Sequence, residues 1–193
     1  MVALAKSQFE HHAGEQRRES VKVEHKIWDA TNLSEVQSSS VSHVPSVAGI
    51  FLCPEKALLE THRVLQTGGV LATTSMAASR CAWAYIFFPD PFPNSPVPRE
   101  CWLTVEGVEG ELVEKGFKDV HAKEVEMWMD FKERGAEEMV RFLVDAMPFT
   151  GQLTKGMGEE EKENWVKGIV DRVERDFPSK RLPGVGICAV GRK

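Results

Sequence analysis

The stretch 54–75 places the tightest constraint on what this chain can fold into. Apolar residues recur at helical spacing over residues 57–65, and Pro54 stands where a helix begins, since proline is common at the first helical position. The pair Gly68–Gly69 predicts the end of that helix, because glycine readily adopts the left-handed conformation of a C-cap. The uncharged, β-branched run 70–76 then predicts a central parallel strand covered on both faces.

A short apolar run at residues 41–44 precedes this helix and predicts a further, buried strand. Pro45 ends that strand or places it at a sheet edge, because proline has no N–H to donate. Strand, helix and strand together form a β–α–β unit, which is typical of a parallel sheet. We therefore predict an α/β fold, a mostly parallel sheet with helices on both faces.

Periodicity predicts the remaining elements of the chain. Helices are expected over residues 2–12, 100–115, 127–147 and 159–177, and strands over residues 20–28, 117–125 and 185–190. No sharp change in composition divides the chain. Residues 1–193 are thus predicted to form one domain, in which residues 127–177 are a helical insertion before the last strand.

Charge and hydropathy exclude several classes of protein. The net charge is −5, and the basic residues form no cluster of the kind that a nucleic-acid surface needs. No apolar run approaches the roughly 18 residues of a membrane span. The four cysteines lack C-x-x-C spacing, which predicts free thiols in a reducing cytoplasm and no metal site. We expect neither a nucleic-acid nor a membrane partner.

Four local strings resemble a known family in order and spacing. Residues 60–69 read E-T-H-R-V-L-Q-T-G-G, which resembles the E-x-x-R-V-L-K-P-G-G string of class I S-adenosylmethionine-dependent methyltransferases of the UbiE-like branch. Residues 1–6, 21–33 and 112–120 resemble the helix after that family's second strand, its third strand with the D-A-x-x-L loop, and the passage into its sixth strand. The resemblance implies a Rossmann-like sheet and methyl transfer from S-adenosylmethionine to a small apolar metabolite.

The same alignment implies an N-terminally truncated member of that family, with an incomplete sheet. The family's glycine-rich loop, whose backbone N–H groups hold the methionine carboxylate, would precede Met1, and so would the acidic residue that binds the ribose. The F-D-x-V opening of the family's fourth strand is replaced by V-S-H-V at residues 41–44.

Of the family's cofactor contacts, the resemblance leaves Asp29 and Ala30 beside the adenine. A single hydrogen bond from Asp29 contributes about 0.5–1.5 kcal/mol, whereas micromolar binding needs roughly 8 kcal/mol. Asp29 is equally well explained as a turn residue after a strand.

Three functions therefore stay open at this point. The first is methyl transfer to a small apolar molecule. The second is a cofactor-independent pathway enzyme of the cyclase or pericyclase type, in which a shaped pocket holds a reactive conformer. The third is a non-catalytic partner subunit of a full-length methyltransferase.

The implied loss of two central strands leaves an open sheet edge, which is a template for pairing with another chain. We expect a homodimer, or a complex with another chain that completes the sheet.

Aromatic and histidine side chains supply the candidate site residues. The proposed substrate pocket comprises Trp83, Tyr85, Phe88, Trp128 and Met129, with ordinary core packing as the alternative for each. Two strand histidines, His43 and His121, are weak candidates for acid–base catalysis, and a structural role is the alternative for each.

Overall fold

The computed structural model describes residues 24–47, 49–50, 53–77, 100–146 and 154–193. The strands in this part of the chain are β1 (Val41–Ser46), β2 (Leu65–Met76), β3 (Lys118–Asp130) and β4 (Arg181–Arg192). The helices are α1 (Pro54–Val64), α2 (Val105–Glu114), α3 (Gly135–Ala146) and α4 (Glu159–Asp176), with a short 3-10 helix at Glu100–Leu103. The helix predicted over residues 2–12 lies outside the described residues.

The four strands form one sheet in the order β1-β2-β4-β3, so the α/β prediction is confirmed. Strand β1 is parallel to β2, and β4 is antiparallel to both β2 and β3. As a result β1, β2 and β3 all run in the same direction. Their carboxyl ends meet at one end of the sheet, beside the start of β4.

Helices cover the two faces of the sheet to different extents. On the first face, which contains Leu71, Ile187 and Ala189, the side chains are at most 2% exposed and pack in one core with residues of α1 and α2. On the second face, which contains Ala72 and Val190, helices α3 and α4 cover one end through a core that includes Leu182, Met129 and Met76. The prediction that β2 is covered on both faces is therefore wrong, since Ala72 is exposed.

The glycine pair lies inside a strand rather than at a helix end. Helix α1 ends at Val64 and β2 begins at once with Leu65, so the predicted glycine C-cap is incorrect. Gly68 has a φ of 78°, within an irregular stretch of the β1–β2 register. A Cβ on Gly69 would lie 3.1 Å from the Ser42 carbonyl oxygen. Gly69 thus allows β1 and β2 to approach closely.

Two predicted strands differ from the structure. Within the strand predicted over residues 20–28, residues 24–28 form a loop, in which Ile27 is 83% exposed, and no described strand pairs with it. Strand β1 is half-exposed rather than buried, because it lies at the edge of the described sheet. Pro45 is tolerated there, as edge positions do not require every N–H donor.

The helix predicted over residues 127–147 begins too early. Strand β3 continues as far as Asp130, which pairs with Arg181 of β4, and α3 starts only at Gly135. Pairing with β4, which is only one residue shorter, extends β3 through residues 127–129. The sequence of this run alone is also compatible with a helix.

Helix α2 is closed at both ends by local hydrogen bonds. The Thr104 side chain accepts from the Gly107 N–H, which makes Thr104 a typical N-cap. At the other end the Gly116 N–H donates to Val113, and the Phe117 N–H donates to Leu112, the two bonds of a Schellman motif. Gly116 has the positive φ, 89°, that this motif needs.

The E-x-x-R string ties a long loop to helix α1. Arg63 donates to both Glu60 carboxylate oxygens at 2.8 and 2.9 Å, to the Leu33 carbonyl at 2.8 Å and to the Val36 carbonyl at 3.0 Å. Glu60 in turn accepts from the Leu33 N–H at 2.7 Å. Glu60 and Arg63 therefore hold the loop at 33–38 in place, beyond pairing with each other.

The Lys193 ammonium donates to the Leu65 carbonyl at 2.7 Å.

A pair of glycines on α2 tests how tightly this helix packs. A Cβ on Gly107 would overlap the Cys101 carbonyl, whereas a Cβ on Gly110 would meet nothing within 4 Å. Gly107→Ala should destabilise the protein by about 1–3 kcal/mol, as overpacking does. Gly110→Ala is the matched control and should stabilise it by about 0.5–1 kcal/mol, the helix propensity difference. Urea unfolding measures the stability of both variants. Equal changes in stability would contradict the close approach of Gly107 to Cys101.

The Glu60–Arg63 contact predicts a pH dependence. Hydrogen bonds from Arg63, and next from the Leu33 amide, lower the pKa of Glu60 to about 2. A depressed pKa in the folded state stabilises the protein above the ordinary glutamate pKa, and this contribution is lost as the pH falls towards 2. Carbon NMR titration should find Glu60 still ionised near pH 3. Arg63→Gln should raise its midpoint, whereas Arg141→Gln, which removes a distant arginine, should not. If Arg63→Gln left the titration midpoint of Glu60 unchanged, Arg63 would not be the cause of the lowered pKa.

Candidate functional site

A shallow groove lies at the end of the sheet where the carboxyl ends of β2 and β3 meet the start of β4. Its volume is about 270 Å³, and it is lined by Glu126, Trp128, Pro183, Gly184 and Val185. Ligands of open α/β sheets bind outside the carboxyl ends of the parallel strands. The groove therefore occupies the part of this fold where a small molecule is expected.

Strand register explains why these side chains converge. Trp128 lies directly opposite Pro183, and Glu126 lies opposite Val185, so all four project from the first face. Towards the other end of β3, Val120 and Ala122 pack against the core that contains α2. The core does not extend as far as Trp128, which is 59% exposed. A large apolar surface is thus left open beside the buried Val185.

Glu126 places one negative charge beside the indole of Trp128. The side chain is exposed, and no hydrogen bond or ion pair joins it to the rest of the described chain. A carboxylate accepts hydrogen bonds from hydroxyl or amino groups. The groove combines an aromatic surface with one acceptor, a combination usual in small-molecule sites. Sequence reasoning missed Glu126, Pro183 and Gly184, because only the register of β3 against β4 brings them to Trp128.

Two buried hydroxyl groups lie on the same strand that leads to this end of the sheet. Thr73 is 2% and Ser75 is 3% exposed, and neither side-chain oxygen has a hydrogen-bond partner. Buried polar groups are normally paired, and an unpaired one costs about 1–3 kcal/mol. The two unpaired hydroxyl groups therefore lower the stability of the folded chain at the end of β2.

Asp29 and Ala30 lie in the loop before β1, not in the groove. The Asp29 carboxylate accepts from the Thr31 hydroxyl at 2.7 Å and from the Thr31 N–H at 2.8 Å. These two bonds, the hydroxyl first, lower the pKa of Asp29. The arrangement is an Asx turn, which agrees with the interpretation of Asp29 as a turn residue.

The structure does not bring the two candidate histidines together. His43 is on edge strand β1, with its Nδ1 3.1 Å from the Ser42 hydroxyl, and His121 is on β3 at the opposite edge of the described sheet. Two strands separate them, and both side chains are exposed on the second face, away from the groove. This arrangement offers no shared acid–base site.

The structure places two of the residues predicted to line an aromatic pocket on opposite faces of the sheet. Trp128 lines the groove. Met129 instead packs into the core beneath α3 and α4 on the second face. Trp102 is fully buried in the first-face core. The predicted pocket residues Trp83, Tyr85 and Phe88 lie outside the described residues.

The described residues do not fit S-adenosylmethionine by themselves. Asp29, the predicted adenine contact, uses Oδ1 to accept two hydrogen bonds within its own turn, so Oδ2 is left as a single acceptor. One such hydrogen bond contributes about 0.5–1.5 kcal/mol, far less than micromolar binding needs. Among the positive-φ glycines of the described ranges, Gly68 serves a strand irregularity and Gly116 a helix end. Gly135 lies in the strand-to-helix turn before α3, where the sequence E-R-G-A-E has a single glycine rather than a glycine-rich loop that could hold an anion. No reaction step through this cofactor is therefore assigned to these residues.

In the described ranges, no group of three or more His, Cys, Asp or Glu side chains is placed to hold a metal ion. No helix in this part of the chain is long and apolar enough to span a membrane.

Comparison with known proteins agrees with the architecture. No family model matches the chain. The chain is 26% identical over 174 residues to the methyltransferase ucsB of an Acremonium species, a match that takes in 88% of this chain and 58% of that protein. The chain thus spans little more than half the length of this curated relative.

Solved structures show the same fold at low sequence identity. The YcgJ protein of Bacillus subtilis matches with a TM-score of 0.58 and 12% identity, over 100% of this chain and 78% of its own. A presumed methyltransferase from an antibiotic biosynthesis pathway of Anabaena variabilis matches with a TM-score of 0.55 and 16% identity, over 83% of this chain and 70% of its own. A presumed methyltransferase of Bacillus halodurans matches with a TM-score of 0.51 and 16% identity, over 100% of this chain and 80% of its own. The chain has a methyltransferase-like Rossmann fold with an incomplete sheet.

The unpaired hydroxyl of Thr73 makes a direct prediction. Thr73→Val replaces the hydroxyl with a methyl group of similar shape, so it should stabilise the ligand-free protein by about 1 kcal/mol. Thr67→Val, at an exposed position of the same strand, is the control and should change stability by less than about 0.5 kcal/mol. Thermal and urea unfolding measure both. A loss of stability in Thr73→Val would show that its hydroxyl is hydrogen-bonded after all.

Proposed function

We propose that this chain provides the metabolite-binding side of a methyltransferase-type enzyme, and that it holds a small, mostly apolar molecule in the groove beside Trp128. The observation that carries the proposal is the exposure of this indole, 59%, at the sheet end where the carboxyl ends of β2 and β3 meet. An indole that is left open in this position offers a flat ligand a stacking surface.

The groove also suggests what the ligand looks like. A volume of about 270 Å³ suits a small metabolite rather than a nucleotide. Pro183 and Val185 add apolar walls, and Glu126 supplies one hydrogen-bond acceptor. A flat apolar ring that bears one hydroxyl or amino group matches this combination.

Methyl transfer is the reaction that the curated relative's name suggests for the complete enzyme. The described residues do not fit the methyl donor by themselves, so this proposal places the donor site on another chain. In this proposal the chain positions the acceptor, and Glu126 orients the polar group of that acceptor by accepting its hydrogen bond.

Calorimetric titration tests this proposal with defined probes. Naphthol, a flat aromatic alcohol, should bind the groove, and Trp128→Ala should weaken its binding roughly tenfold, which corresponds to about 1.4 kcal/mol. Glu126→Gln should weaken naphthol less than Trp128→Ala does. The matched control is Met127→Ala, which removes an exposed side chain from the opposite face of the same strand and should leave binding unchanged.

Titration with S-adenosylmethionine forms the second arm of the experiment. The chain alone should give no heat of binding at micromolar concentration. Micromolar affinity for this cofactor would contradict the assignment of the donor site elsewhere. An equal loss of naphthol binding in Trp128→Ala and Met127→Ala would contradict the proposal that naphthol binds in the groove.

A further inference from the structure

The second face of the sheet carries an exposed apolar surface that the groove does not use. Val125, Met127 and Val190 are 38%, 46% and 42% exposed, and all three belong to this face. Register places Ala72 beside Val190, and both lie in the middle of the sheet on β2 and β4. Central strands of an α/β sheet are normally covered on both faces.

Charge is segregated between the two faces along β3 and β4. Lys118, Lys123 and Arg192 are exposed and lie around the apolar surface. The acidic side chains of β3 whose direction the register fixes, among them Glu124 and Glu126, project from the first face instead. Asp119 lies in the β3 bulge, where the register fixes no direction. The second face therefore presents an apolar centre with a basic rim.

We propose that this surface, defined by Ala72, Val125, Met127, Cys188 and Val190 with Lys118, Lys123 and Arg192 at its rim, binds an amphipathic helix of a partner protein whose flanking residues are acidic. Helices α3 and α4 already cover the Met76 end of this face. A further helix beside them extends an existing layer.

Charge complementarity selects this occupant over a second copy of the chain. Two copies that met through this face would bring two basic rims together, and like charges placed together oppose association. An acidic helix meets the opposite charge. The stretch Gly186–Arg192 of β4 runs about 20 Å, which a helix of about 13 residues spans.

The experiment follows the thiol of Cys188, which is half-buried in the centre of the surface between Thr74 and Lys123. The probes are two synthetic peptides of about 14 residues. Both carry leucines along one helical face, one with glutamates at the flanking positions and the other with lysines. A thiol reagent is applied to the full chain, and mass spectrometry of the β4 fragment reports the labelling rate of Cys188 alone.

The acidic peptide should slow labelling of Cys188 roughly tenfold at saturation, and the basic peptide should not. The charge-reversed variant with Lys123→Glu and Arg192→Glu should exchange the two preferences while its circular dichroism stays unchanged. Equal protection by the two peptides, or none by either, overturns the proposal. A second copy of the chain on this face would also overturn the proposal. In that case Cys188 would be protected in the free protein, and Val190→Lys would both expose Cys188 and dissociate a dimer in sedimentation. That result would show that a second copy covers the face.

Discussion

Strand β4 is the element on which the rest of the structure depends. It pairs with β2 on one side and with β3 on the other, so it joins the parallel β1–β2 unit to the only other strand that the structure describes. Its alternate residues Val185, Ile187 and Ala189 fill the first-face core. Its first residues form one wall of the groove, and Lys193, which follows its end, donates to the Leu65 carbonyl at the start of β2. Loss of this pairing would remove the core and the groove together.

The incomplete cover of the two faces explains why one chain offers two separate surfaces for the two proposed ligands. Helices α1 and α2 close the first face except at the Trp128 end, where the groove opens. Helices α3 and α4 close only one end of the second face, so an apolar surface stays exposed there. Because side chains alternate along a strand, neighbouring residues such as Glu126 and Met127 serve opposite surfaces. The small-molecule groove and the helix-binding surface are therefore independent consequences of incomplete cover.

Local sequence was sufficient to predict the order of the described elements. Pro54, the apolar spacing of α1 and the uncharged run of β2 predict a β–α–β unit without knowledge of the rest of the chain. The errors fall where contacts between distant residues decide the outcome. Strand β3 extends to Asp130 because Arg181 pairs with it, and the glycine pair enters β2 because β1 lies close to it. No local pattern contains either contact.

The candidate site shows the same division. Trp128 was predicted from its aromatic side chain, and that is a property of the residue alone. Glu126 and Pro183 were missed because they meet Trp128 only through pairing between strands 50 or more residues apart in the sequence. The E-x-x-R string that contains Glu60 and Arg63 was recognised only as a resemblance to a family. Its hydrogen bonds to Leu33 and Val36 depend on a loop conformation that the sequence did not reveal.

Fluorine NMR of protein labelled with fluorotryptophan tests the central claim, that the groove beside Trp128 is the ligand site, most directly. The five tryptophans give separate resonances, and Trp128→Phe identifies the one of interest. Addition of naphthol should shift the Trp128 resonance and leave that of the fully buried Trp102 in place. A shift at Trp102 without one at Trp128 would contradict this account.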